Sequence, residues 1–159
     1  MGTLVTNYTN KQHLINELCA GTIDHSCVGN VLYTLHEDSF GEKYIGVAKL
    51  SQHEGRWAFK TMDEAMFPYF FTCPKKLLDK STCTQVNAVM WRASCRGEQE
   101  EVAARKAFIK SLKVGDKVMC HGREYTYTGP SNKKGSINVV CRQGVAYRLL
   151  TKWVERPEA

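Results

Sequence analysis

Residues 112–154, LKVGDKVMCHGREYTYTGPSNKKGSINVVCRQGVAYRLLTKWV, read as four or five short strands joined by glycine turns. The β-branched and aromatic runs are each too short for a helix and are punctuated by residues that favour tight turns. The stretch is therefore expected to close on itself as a small SH3-like β-barrel, a basic module over 112–159 that follows an α+β main domain over 1–111. From position 111 onward nine Lys/Arg (Lys113, Lys117, Arg123, Lys133, Lys134, Arg142, Arg148, Lys152, Arg156) stand against four acids, while the rest of the chain is nearly balanced. Such asymmetry points to a polyanion or an acidic protein surface as partner.

Upstream, NKQHLINELCA at 10–20 spaces Leu14, Ile15 and Leu18 for an amphipathic helix, with Asn10 as N-cap and Gly21 as stop. Three runs follow, 28–38, 43–52 and 55–62, separated by short polar turns, and they predict an antiparallel meander. Gly29 and Gly46 inside these runs mark bulges or places where another group comes close to the backbone. The next stretch, MDEAMFPYFFTCPKKLLDK, must pack because it is strongly aromatic, and Pro68 and Pro74 forbid one helix through it. Thr72 is expected to cap a short helix starting at Cys73 or Pro74, and Asp63 to cap the turn at Met66. Residues 84–111 read as a helix bent at Gly97, its acids Glu98, Glu100 and Glu101 preceding its bases Arg105, Lys106 and Lys110.

With 43% apolar residues in 159, the chain can bury a core. No apolar run of membrane-spanning length and no secretory leader pattern is present. Met1-Gly2 with Thr6 fits the loose myristoylation phrase. Seven cysteines without a CxxC pair suit free thiols in a reducing cytoplasm, and neither His25 with Cys27 nor Cys120 with His121 makes a metal half-site. Neither metal nor cofactor is expected.

Two sites of different class remain. The basic module interleaves Arg123, Lys133, Lys134, Arg142, Arg148 and Lys152 with Tyr125, Tyr127, Tyr147 and Trp153, a mixture suited to phosphate contact with base stacking. The same tyrosines could instead point inward and fill the barrel. Alternatively a small enzyme could be built around Tyr69–Pro74. There Cys73, at a helix start beside Lys75 and Lys76, would be the nucleophile, with His36 and Glu64 sharing the proton transfers. Arg92 could pair with Glu64 across the aromatic cluster as an architectural contact. No GxSxG, HExxH, Walker or dinucleotide phrase occurs.

WAFKTMDEAMFPYFFTCPKKLLD and NAVMWRASCR resemble a domain-of-unknown-function family carried by bacteriophages and integrative conjugative elements. The matching positions are Lys60, Met62, Asp63, Glu64, Met66, Pro68, Tyr69, Cys73, Pro74, Ala88, Trp91, Arg92 and Cys95. The chain departs from that pattern at Thr3, where a tryptophan is usual, and at Phe67, where a glycine is usual. The resemblance implies a mobile element's accessory protein in the bacterial cytoplasm, a stoichiometric binder of a host defence factor, of anti-restriction or anti-CRISPR type, or of nucleic acid.

Overall fold

The computed structural model describes residues 3–158; the Met1-Gly2 start of the lipidation phrase lies outside them. The fold is α+β with two antiparallel sheets, and the chain divides into two compact units, residues 1–99 and 100–159. All of the net charge of +6 falls in the second unit, which holds 12 Lys/Arg against 6 Asp/Glu, whereas the first has 10 of each.

In the first unit, strands β1 (Thr3–Tyr8), β2 (Asp24–Val28), β3 (Val31–Glu37), β4 (Lys43–His53) and β5 (Arg56–Asp63) form one sheet in the order β1-β5-β4-β3-β2. The meander β3-β4-β5 follows the expected runs. Both edge strands escaped the sequence reading. Strand β2, DHSCV, has a mainly exposed burial pattern and no clean alternation to announce it. Helix α1 (Lys11–Cys19) begins at Asn10, whose side-chain oxygen accepts from the backbone N–H groups of Gln12 (2.8 Å) and His13 (3.3 Å), a cap that contributes about 1 kcal/mol.

Period-two alternation gives the sheet two faces. Leu32, Ala48 and Leu50 point to one side and pack under Leu14 and Ile15 of α1. Tyr33, Leu35, Ile45 and Val47 point to the other, where Cys73, Leu77 and Leu78 of the segment around α2 (Lys75–Leu78) join Trp91 and Cys95 of α3 (Val86–Ser111). Residues Ala88, Trp91, Arg92 and Cys95 are the buried positions of α3, spaced i, i+3, i+4 and i+7, which explains why a helix docks here. Gly97, expected to interrupt or bend this helix, does not interrupt it: α3 runs unbroken, since one glycine costs only about 1 kcal/mol in a helix interior and its neighbours are strong helix formers.

Neither expected cap forms. Pro74 occupies the N-cap of α2 with no side-chain hydrogen bond, and the Thr72 hydroxyl instead meets Tyr33 Oη at 2.9 Å. Asp63 precedes the 3₁₀ turn Glu64–Met66 without capping it. Phe67 ends that turn at φ 50°, ψ 64°, the left-handed region. Glycine adopts that region without the steric cost a Cβ brings.

In the second unit, β6 (Lys117–Cys120), β7 (Arg123–Pro130), β8 (Ser136–Val140), β9 (Ala146–Leu150) and β10 (Val154–Glu155) are ordered β10-β6-β7-β8-β9. Among the described residues no ladder joins β9 to β10, so the observed element is a five-stranded antiparallel sheet. One face of it buries Val118, Tyr127, Ile137, Val139 and Val154 against Phe108, Ile109 and Leu112. Among the described residues no helix is long and apolar enough to cross a membrane.

Candidate nucleic-acid interface

Cross-strand register fixes where the basic and aromatic side chains of the second unit point, because directly paired residues share a face. Val118 pairs with Tyr125, Tyr127 with Val139, Val139 with Tyr147 and Ile137 with Leu149, all on the core side. Arg123 lies two residues before Tyr125 and pairs with Cys120, on that same side. Tyr127 is sealed into the core, but Tyr125 is half-buried and Tyr147 is 48% exposed. The core face thus runs out of core at one end and continues as an open aromatic rim.

There Tyr125 and Tyr147 meet edge to face with centroids 5.8 Å apart. A groove of about 480 Å³ opens beside them, lined by Arg123, Glu124, Arg142 and Gln143 among others. Arg142 stands 3.6 Å from Glu124 with most of its side chain in solvent. Such an exposed pair is worth well under about 1 kcal/mol, so a phosphate can displace it cheaply. The groove thus has two tyrosine rings and two guanidinium groups in one lining.

The other expected cations lie elsewhere. Lys133 and Lys134 are exposed in the β7–β8 turn, where Ser131 Oγ accepts from the Lys133 N–H. Arg148 pairs with Asn138 on the other face of the sheet, opposite Arg123 and Tyr147. Lys152 and Trp153 sit in the 3₁₀ turn Thr151–Trp153, the ammonium 5.1 Å from the centroid of the indole ring, which is in turn 5.4 Å from His121. The basic residues therefore occupy several separate places, not a single face.

Cys73, His36 and Glu64 are not assembled into one site. Cys73 is fully buried on the Tyr33–Leu35 side of the first sheet, where its thiol is pushed well above the ordinary range by burial, with Cys95 and Glu64 adding to the effect. His36 lies on the same face as Thr34, the opposite side of that sheet. Glu64 is committed to structure: fully buried, it accepts from the backbone N–H of Ile45 (2.9 Å), from Ser81 Oγ (2.6 Å) and from Arg92 (2.5 Å). Arg92 also donates to the carbonyl of Cys83 at 2.6 Å. This is the pair expected across the aromatic cluster, and it ties the 3₁₀ turn to α3.

His36 belongs to a pocket that the sequence reading missed. Helix α1 covers only part of its sheet face, and Thr34, His36, Tyr44, Gly46, Thr61 and Asp63 line an open cavity of about 430 Å³ beyond it. The Thr34 hydroxyl lies 2.7 Å from His36 Nε2, and burial lowers the pKa of the imidazole. Asp63 Oδ1 is buried there without a hydrogen-bond partner. Alternating polar residues on three consecutive strands were the available signal. Lys106 and Lys110 were missed as surface-forming groups for a simpler reason: they were read only as the basic end of a helix.

Comparison of the chain with protein-family models, with curated proteins and with solved structures finds no match.

Proposed function

We propose that the protein is a stoichiometric binder that takes up single-stranded nucleic acid through its second unit, and that this unit is an SH3-like module. The strand order β10-β6-β7-β8-β9, with a 3₁₀ turn before a short last strand that returns to the first, supports the module assignment. The observation that carries the function is the open rim at the end of the core face. Tyr147 and Tyr125 line one groove there with Arg123 and Arg142, in the unit that holds all of the net positive charge. Base–aromatic stacking contributes about 1–3 kcal/mol per base and tolerates any sequence, while cations track the phosphates. The resemblance to a phage and conjugative-element family supports a role as an accessory protein in a bacterial cytoplasm, directed at a host defence factor or its nucleic acid.

The test is fluorescence anisotropy with a labelled oligothymidylate over a salt series. Tyr147→Ala should weaken binding by roughly 5- to 150-fold at one salt concentration without changing the salt slope. Arg123→Ala should reduce that slope by about 0.7. Reversing Lys133, Lys134 and Arg148 together reports on the cations outside the rim and should act through the slope alone. Wild-type binding that is indifferent to Tyr147 and Arg123 would reject the rim as the contact surface.

A further inference from the structure

The second unit carries another groove, about 330 Å³, formed by the C-terminal part of α3 and the 3₁₀ turn Thr151–Trp153. Its lining is Val102, Arg105, Lys106, Ile109, Lys110, Thr151 and Lys152, four cations and no acid. At about 100° per residue, Val102 and Ile109 fall within about 20° of each other and make an apolar stripe along the helix. Arg105 projects about 60° to one side of Val102, and Lys106 and Lys110 about 40° and 80° to the other. Val102 is 37% exposed, so the stripe reaches solvent. Among the described residues no carboxylate forms an ion pair with any of the four cations, although Glu101 lies one turn before Arg105 on the same helix.

We propose that this groove docks an acidic amphipathic helix of a partner protein, whose apolar side chains cover Val102 and Ile109 and whose carboxylates meet Arg105, Lys106, Lys110 and Lys152. Three features favour this occupant. The apolar floor has no aromatic ring and no base-reading group, so a nucleic acid would leave it uncovered. The cations flank the stripe on both sides along its length, whereas a single-headed acyl carboxylate would engage only one end. A helix with an apolar stripe bordered by Glu or Asp complements both the apolar floor and the charge, the helix-in-groove mode of recognition. Lysine and arginine stems extend the apolar surface while their charged heads reach the rim, so the groove needs no rearrangement to accept such a partner. The surface is distinct from the Tyr125–Tyr147 rim, and its test is independent of the nucleic-acid reading.

The experiment uses the full chain, isotope-labelled for chemical-shift mapping, and a fluorescein-labelled helical peptide with leucines at i, i+3, i+4 and i+7 flanked by glutamates. Binding is expected to shift resonances of Val102, Lys106, Ile109 and Thr151, and to be about tenfold or more weaker in Lys106→Glu/Lys110→Glu. Val102→Asp, a change at an exposed position, should weaken it comparably. The same peptide with glutamine for glutamate, or serine for leucine, should lose most of its affinity. If the charge-reversed variant does not fold by circular dichroism, Lys106→Gln/Lys110→Gln serves in its place. Equal affinity for the glutamate and glutamine peptides, or indifference to both the lysine pair and Val102, overturns the proposal. So does displacement of the peptide from these same residues by oligothymidylate or by sodium dodecanoate at lower concentration, which would assign the groove to nucleic acid or to an acyl anion.

Discussion

Arg92→Met is the perturbation that most directly tests how the first unit is held together. It removes the only cation shown to contact Glu64, a carboxylate with no solvent exposure, and leaves the neutral donors from Ile45 N–H and Ser81 Oγ. Removing one partner of a buried pair typically costs about 3–5 kcal/mol, because the remaining charge is stranded. A domain of this size has a total stability of about 5–15 kcal/mol, so the variant should lose a large part of its stability. Urea unfolding followed by Trp91 fluorescence, in a Trp57→Phe/Trp153→Phe background, reads the unit that contains the pair. Adding Glu64→Gln to Arg92→Met should restore about 1–3 kcal/mol, since no charge is then stranded. A cost below about 1 kcal/mol would refute the view that this pair locks the 3₁₀ turn to α3.

Three further outcomes follow from single positions. Gly46→Ala places a methyl 2.7 Å from Thr34 Oγ1 and 2.9 Å from His36 Nε2. It should cost roughly 1–3 kcal/mol, and measurably less in a Thr34→Ala background, by thermal unfolding. At position 67, glycine should be more stable than alanine by about 1 kcal/mol, because both lose the ring but only glycine is relaxed at φ 50°; equal stabilities would deny the strain. Cys27 is exposed while Cys73 is buried with its thiol held protonated and Cys95 is pushed up to about 11. A thiol reagent at mildly alkaline pH should label Cys27 well before Cys73, and mass spectrometry showing equal rates would contradict the sealed core.

The elements legible from sequence were those with a strong local signal. The Asn10 cap, the helical spacing of Leu14, Ile15 and Leu18 in α1 and the alternation of β3 to β5 are each written within about ten residues, and each is found in place. What stayed hidden depends on tertiary partners. Thr72 carries a good capping side chain, but its hydroxyl is taken by Tyr33, nearly forty positions away in the chain. Asp63 likewise looks like a cap and instead leaves one oxygen unpartnered in a cavity. Cys73 does begin the approach to a helix, as expected, yet the first sheet lies between it and His36. Register is what separates them, and register cannot be read from either segment alone. For the basic module, composition correctly identified the charged region but not which faces the charges occupy, since that turns on the parity of each strand.

The segregation of charge has a consequence that joins folding to binding. In the first unit four cations are paired with carboxylates of the chain itself: Arg92 with Glu64, Lys76 and Lys80 with Asp24, Arg96 with Asp79. Asp24 answers to this environment, its carboxyl lowered to about 2 by hydrogen bonds from Lys80, from the His25 backbone and from Lys76. In the second unit the described ion pair is Arg142 with Glu124, against a surplus of six positive charges. Salt should therefore act on the two units with opposite sign. Near physiological ionic strength the screening length is about 8 Å, short enough to relieve repulsion among exposed cations and to weaken the exposed Asp24 contacts. Raising salt from low to moderate concentration should slightly stabilise the second unit while reducing its affinity for any anionic ligand, and should slightly destabilise the first. Hydrogen exchange resolved by residue separates the units in one experiment. If protection of Val118 and Val139 fell with salt in step with that of Leu35 and Val47, the positive surplus would have to be compensated within the second unit, and neither of its grooves would retain the charge needed to hold an anion.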